Sequence, residues 1–114
     1  MMTLICGIPN AGKTTYSSRY QNVVHTDDVL PVNCSYTAAI CEIVQRYEDV
    51  CVEGILCTAR ERKAIVASYN HGRKVCIWID TPLDVCIARE NRNRGEIIIK
   101  NCYSLFEPPT IAEG

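Results

Sequence analysis

The 114-residue sequence has no long apolar run, no internal repeat and no low-complexity linker. No stretch approaches the roughly 20 apolar residues that cross a bilayer, and no signal-peptide pattern opens the chain. The hydrophobic content of 47% and the charged content of 22% are ordinary for a globular protein and exclude disorder. These features predict one cytoplasmic domain, residues 1–114.

The eight cysteines lack the spacing of a zinc site or a disulfide framework. The closest pairs, Cys34/Cys41 and Cys51/Cys57, are farther apart than the C-x₂₋₄-C of a zinc site, and no H-x₃₋₅-H occurs. Several of the others lie inside apolar runs, where cysteine acts as a small apolar residue. We therefore expect reduced thiols.

Residues 7–14, GIPNAGKT, fit the P-loop pattern G-x-x-x-x-G-K-[ST]. The apolar run Met2–Cys6 precedes them as a buried strand would, and residues 14–20 can continue as a helix. In that arrangement backbone N–H groups surround a phosphate, Lys13 reaches the β- and γ-phosphates and the Thr14 hydroxyl ligates Mg²⁺. A chance glycine–lysine turn is the alternative, but the four fixed positions with correct flanks favour a bound nucleoside triphosphate.

Further short apolar runs alternate with helical patterns along the chain. The predicted strands are 22–26, 49–54 and 73–80, and the predicted helices are 36–47, 59 to about 70 and 83 to about 93. Ser35 and Thr58 are the expected N-caps, and Gly72 is the expected stop of the second of these helices. The alternation predicts an α/β P-loop NTPase fold: a parallel sheet of about four strands, in the order 2-3-1-4, flanked by helices.

Acidic residues follow the predicted strands, and ligands of such sheets bind at the carboxyl ends of the strands. Asp27 is favoured as the base that accepts a proton from an acceptor hydroxyl, with Asp28 as the alternative. Glu53 would hold Mg²⁺ through water. Each of these acids also has a plain explanation as a turn or surface residue, and for Asp80 that explanation is the stronger one.

The last predicted helix ends in a basic segment. Arg89, Arg92 and Arg94 precede Gly95, and we expect residues 89–100 to form a lid that brings positive charge to the triphosphate and excludes water. A solvated helix end is the alternative. No function is expected of His25 at a strand end, of His71 at a helix end, or of Trp78, which is expected in the core.

Residues 7–14, 26–28 (TDD), 89–95 and 106–114 (FEPPTIAEG) together resemble the P-loop kinase domain of polynucleotide 5′-hydroxyl kinases, within the wider group of zeta-toxin and AAA-type small P-loop kinases. The resemblance runs in order along almost the whole chain, and its tail phrase is more specific than its P-loop. It implies transfer of the γ-phosphate of ATP, with Mg²⁺, to a nucleic-acid 5′-OH. Lys13 and Thr14 would contact phosphate and Mg²⁺, Asp27 would be the base and Arg94 the lid arginine. The residues expected to bind the nucleotide are Gly7, Pro9, Asn10, Ala11, Gly12, Lys13, Thr14, Thr15 and Arg89.

The sequence departs from that family in three places. Asn10 stands where the family usually has glycine, a mild change because asparagine tolerates a left-handed backbone. Residues 29–31 (VLP) stand where the family often places an arginine that grips a substrate phosphate. The family also continues past residues 113–114 into one more strand, so either the sequence is truncated or a sheet edge is exposed, through which a homo-oligomer would form.

These departures leave the acceptor open. A 5′-OH nucleic-acid end is favoured, and a nucleoside or other small alcohol is the runner-up. The net charge of −1 provides no strongly basic face, which argues against long duplexes because phosphate contacts dominate nucleic-acid affinity. A non-catalytic nucleotide-binding module is the alternative from another class.

Overall fold

The structure, a computed structural model, describes residues 1–29, 36–56, 58–90 and 95–109. Within them four parallel strands form one sheet: β1 (Met2–Cys6), β2 (Val23–His25), β3 (Val50–Gly54) and β4 (Lys74–Trp78). Their order is β2-β3-β1-β4, as the sequence predicts. All neighbouring strands are parallel, so their carboxyl ends meet at one edge of the sheet.

Helices alternate with the strands. The described helices are α1 (Lys13–Ser17), α2 (Tyr36–Val44), α3 (Ala59–Ser68), α4 (Leu83–Ala88) and α5 (Glu96–Leu105), with a 3₁₀ turn at Thr26–Asp28. The N-cap prediction for α3 is confirmed, because the Thr58 hydroxyl accepts a hydrogen bond from the Glu61 N–H at 3.1 Å. The predicted stop at Gly72 is wrong, because α3 ends at Ser68 and Tyr69 is its C-cap. Ser35, the other predicted N-cap, lies outside the described residues.

The two faces of the sheet are covered by different helices. Alternate residues of a strand point to opposite faces, and Met2, Leu4 and Cys6 of β1 join the larger core cluster together with residues of α2 and α3. The right-handed connection from β1 to β2 runs along the sheet in the opposite direction to the next two connections, which places α1 on the other face. A second, smaller cluster comprises Ile8, Ala11, Cys86 and Ile99, from the loop after β1 and from α4 and α5.

Two features after β3 were not expected from the sequence. Residues 96–105, for which no helix was predicted, form α5, anchored by the fully buried Ile99. Trp78, expected in the core, is 38% exposed, because β4 is an edge strand whose only described partner is β1. The Trp78 ring stacks on Phe106 with the ring centroids 6.1 Å apart.

The segment after α5 packs on the beginning of α3. The Glu107 carbonyl accepts a hydrogen bond from Nη2 of the buried Arg62 at 2.6 Å, and Oε1 of Glu107 accepts one from the Ala59 N–H at 3.2 Å. The part of the tail phrase that is described therefore joins the end of α5 to the beginning of α3. None of the described helices is long and apolar enough to span a membrane.

Candidate nucleotide-binding site

The loop between β1 and α1 has the backbone of an anion-binding turn. Asn10 and Gly12 have φ angles of +67° and +104°, and such left-handed residues turn successive N–H groups toward one point. This confirms that the asparagine at position 10 takes the left-handed backbone conformation that glycine would take. Gly7 is required for a different reason, since a Cβ there would lie 2.9 Å from the Ile79 carbonyl oxygen.

The Lys13 side chain is buried against this loop. Its Nζ donates to the carbonyl oxygens of Gly7 at 2.9 Å and Ile8 at 2.7 Å. A buried ammonium needs such acceptors, and these two hold it beside the turn. Phosphate oxygens are stronger acceptors than peptide carbonyls, so Lys13 is placed to exchange these partners for an incoming anion.

Residues after β4, in and next to α4, support the loop from the side. The Thr81 hydroxyl donates to the Ala11 carbonyl at 2.6 Å, and Nδ2 of Asn10 donates to the Cys86 carbonyl at 3.1 Å. Nη1 of Arg89 donates to the Asn10 carbonyl at 3.2 Å. The loop is thereby fixed in its curved form, and the Arg89 guanidinium lies above it.

A cavity of about 580 Å³ opens over the loop, within the range of small-ligand sites. It is lined by Pro9, Asn10, Ala11, Gly12, Lys13, Thr14, Thr15, Asp27, Glu53, Gly54, Ile55, Thr81 and Arg89. The lining brings two cations, Lys13 and Arg89, together with two acids, Asp27 and Glu53. All the residues expected to bind the nucleotide line this cavity except Gly7, the first residue of the loop.

The acids occupy the positions that the sheet rule predicts. Asp27 is exposed in the 3₁₀ turn directly after β2, and Glu53 is buried near the end of β3. Oε2 of Glu53 lies 2.5 Å from Nδ1 of His25. Because a carboxylate only accepts hydrogen bonds, the Nδ1–H of His25 donates to it.

Gly54 permits this close arrangement of β2 and β3. A Cβ at Gly54 would collide with the Thr26 side chain, which packs directly on the glycine. Only a residue without a side chain lets the 3₁₀ turn that carries Asp27 approach the end of β3.

The donor set fits Mg²⁺. The Thr14 hydroxyl and the Glu53 carboxylate line the same cavity, and Mg²⁺ takes oxygen ligands, commonly one or two from protein and the rest from water and substrate phosphates. Among the described residues no cluster of three or more His, Cys, Asp or Glu side chains could hold a metal by itself. The pair Thr14 and Glu53 suits a metal whose remaining ligands are water and phosphate oxygens.

Two sequence predictions, the lid arginines and the Asp28 side chain, cannot be placed, and a third, Asp80, lies at a different cavity. Arg94 and Arg92, and with them the middle of the predicted lid, lie outside the described residues, as does the Asp28 side chain. Asp80 lines a separate cavity of about 260 Å³ beside Trp78 and Phe106 rather than the phosphate cavity.

Sequence reasoning missed Thr81, Ile55 and the partner of Glu53. No sequence pattern singled out Thr81, whose bond to Ala11 spans 70 residues of sequence. His25 and Glu53 are matched in register on neighbouring strands. Both residues lie at the carboxyl ends of strands that the sequence predicts to be adjacent. That shared position was the one sequence signal for this pair.

Cys6 lies next to the loop and is fully buried. A hydrogen bond with Cys76 is the main cause that raises the pKa of its thiol, and burial is the second. Both favour the protonated thiol over the reactive thiolate.

The sequence matches no protein-family model, and no curated protein is significantly similar to it in sequence. Among solved structures, the chain is similar to a gluconokinase from Sinorhizobium meliloti 1021, with a TM-score of 0.74 and 16% sequence identity over 95% of this chain and 75% of that chain. At 16% identity this similarity is evidence about the fold only. The chain has the predicted α/β P-loop fold, with a four-stranded parallel sheet in the order 2-3-1-4 flanked by helices.

Proposed function

We propose that this protein is a kinase that transfers the γ-phosphate of ATP to a hydroxyl group. One observation carries the proposal: Lys13, Thr14, Asp27, Glu53 and Arg89 line a single cavity over a P-loop. Phosphoryl transfer requires positioning and electrostatic stabilisation far more than covalent help from the protein. Side chains that could meet both requirements line this cavity.

The loop would bind the triphosphate through its backbone N–H groups, and Lys13 would turn from the Gly7 and Ile8 carbonyls to the β- and γ-phosphates. Arg89 donates a hydrogen bond to the Asn10 carbonyl and would add positive charge on that side of the cavity. Thr14 and Glu53 would hold Mg²⁺, the second directly or through water. When bound, the metal neutralises charge on the phosphate oxygens.

Asp27 is the base in this proposal. Its exposed carboxylate lines the cavity on the side of β2, across from the loop. A hydroxyl that entered from solvent would donate its proton to Asp27 as the oxygen attacked the γ-phosphorus. A non-catalytic nucleotide-binding module would not need an acid at this position.

A small polyol or a nucleoside is at least as good a candidate for the acceptor as a 5′-OH nucleic-acid end. The similar gluconokinase is by its name a kinase of gluconate, and with a net charge of −1 any basic surface for a polyanion could only be local. The described residues contribute only two cations to the cavity, and both are placed at the P-loop. The resemblance of the motifs to polynucleotide kinases keeps the 5′-OH end in the test.

The experiment is transfer of label from γ-labelled ATP with Mg²⁺ to a panel of acceptors: a short 5′-OH oligonucleotide, nucleosides, gluconate and other polyols. Labelling of a small alcohol alone identifies a small-molecule kinase, and labelling of the oligonucleotide identifies a polynucleotide kinase. ATP binding without transfer to any acceptor would indicate a non-catalytic module. Absence of ATP binding would overturn the proposal.

A further inference from the structure

His25 is joined to the site although it does not line the cavity. Its Nδ1 lies 2.5 Å from Oε2 of Glu53, whose side chain is 9% exposed whereas that of His25 is 36% exposed. The two residues are register partners at the carboxyl ends of β2 and β3. The imidazole therefore reaches the buried carboxylate from the side of the neighbouring strand.

This contact restricts the orientation of Glu53. A glutamate carboxylate can rotate about its last torsion almost freely, but a short charge-assisted hydrogen bond to one oxygen fixes the plane of the group. With Oε2 engaged by His25, Oε1 remains as the acceptor for a water in the cavity. Carboxylates that serve a hydrated metal depend on such partners for their alignment.

We infer that His25 is a positioning residue, which holds the Glu53 carboxylate in the orientation that binds the waters of Mg²⁺ delivered with ATP. The inference rests on the proposed function, because it assigns His25 a part in the same site. His25 does not touch the nucleotide or the acceptor. It acts through Glu53.

A purely structural role is the alternative, since the pair also joins β2 to β3. Two polar replacements separate the roles. The amide nitrogen of asparagine is attached at the same carbon as Nδ1 of histidine, so His25→Asn can keep the bond to Glu53. His25→Gln carries its amide one bond farther out, near the position of Nε2, and cannot keep that bond without moving the backbone.

The test measures ATP affinity by calorimetry, once with excess Mg²⁺ and once with EDTA. We expect the wild type to bind more tightly with Mg²⁺, and His25→Gln and His25→Leu to lose roughly 10- to 100-fold of that gain, the usual cost of removing a group that supports a metal ligand. Their metal-free ATP affinity should stay within about twofold of wild type, because the phosphate loop is untouched. His25→Asn should retain most of the gain.

Two further variants complete the design. His71→Leu is the matched control, because His71 contacts the Gln45 carbonyl at 2.9 Å and lies ahead of β4, at the opposite end of the strands. It should bind like wild type under both conditions. In the Glu53→Gln background, His25→Gln should cause no further loss of the Mg²⁺-dependent gain, because the carboxylate through which His25 acts is gone.

The outcomes separate the two proposals. A wild type that binds no ATP overturns the proposed function and this inference together. A wild type with a normal gain from Mg²⁺ that His25→Gln leaves intact overturns the inference alone. It is equally overturned if His25→Asn fails as badly as His25→Gln, or if the losses from His25→Gln and Glu53→Gln add, since each result would mean that His25 does not act through Glu53.

Discussion

Lys13 is buried, and its Nζ donates to two neutral carbonyls of its own loop. A phosphate oxygen is a stronger acceptor than either carbonyl, so a bound triphosphate would compete for these two bonds. Replacement of Lys13 tests the P-loop most directly.

We expect Lys13→Ala to lower phosphoryl transfer by on the order of 10²–10³-fold or more, because a fixed positive charge on the transferring phosphoryl is removed. Lys13→Arg should not restore the rate, since a planar guanidinium does not fit the site of a compact ammonium. Initial rates with γ-labelled ATP measure the effect, and thermal unfolding shows whether the variants fold. Activity close to wild type in Lys13→Ala would remove the P-loop from the mechanism.

Asp27 and Asp28 can be separated in the same assay. Asp27→Asn should leave ATP affinity nearly intact while lowering turnover roughly 10²–10⁴-fold, the usual worth of a general base. Asp28→Asn is the matched control, an identical change one residue along the same 3₁₀ turn, and should be close to wild type. The reverse pattern would show that Asp28 is the base.

At the scale of elements, the predicted features that the structure confirms had local signals. β1 and the P-loop were evident from an apolar run and four fixed residues, and Thr58 from its spacing to Glu61. α5 was missed because three consecutive isoleucines at 97–99 obscure its helical period: only Ile99 is buried, while Ile97 is 74% exposed. The exposure of Trp78 depends on β4 lying at an edge, which is a property of the sheet and not of the strand.

The packing of Gly54 on Thr26 is the contact through which β3 positions the turn after β2. Gly54→Ala should destabilise the fold by about 1–3 kcal/mol, as expected for overpacking, and should also reduce transfer because the turn that carries Asp27 is pushed away. Thr26→Ala in that background should recover part of both losses, since it removes the hydroxyl and methyl that collide. Urea unfolding and rate measurements check this pair, and a Gly54→Ala protein with wild-type stability and rate would contradict it.

At the scale of the whole molecule, the site depends on contacts that no local pattern contains. The Thr81–Ala11 and Arg89–Asn10 bonds join residues 70 and 79 positions apart. The sheet rule predicted that Asp27 and Glu53 would share an edge, because it follows from topology. The exact pairing of His25 with Glu53 required the register of β2 on β3, and register is decided by packing on both faces.

The buried thiols make a prediction about the molecule in alkali. Burial, with a smaller effect from Glu53, raises the pKa of Cys51 to about 11, and burial also raises that of Cys86. Unfolded thiols ionise near pH 9, so the unfolded chain loses these protons first. The contribution of Cys51 to stability is therefore fully present below about pH 8.5 and is lost between about pH 9 and 11, by about 1.4 kcal/mol per pH unit. Cys86 acts in the same direction.

Urea unfolding from pH 7.5 to 10.5 measures that loss, and single substitutions assign it. Cys51→Ala has no thiol to ionise at that position, so its free energy of unfolding should be lower at neutral pH, from the cavity, but should fall less steeply above pH 9. Val52→Ala is the matched control: it also opens a cavity in β3 but removes no thiol, so its slope should equal that of wild type. If Cys51→Ala and wild type fall in parallel from pH 9 upward, the Cys51 thiol ionises as readily in the folded protein as in the unfolded chain, and its burial in β3 does not resist the charge.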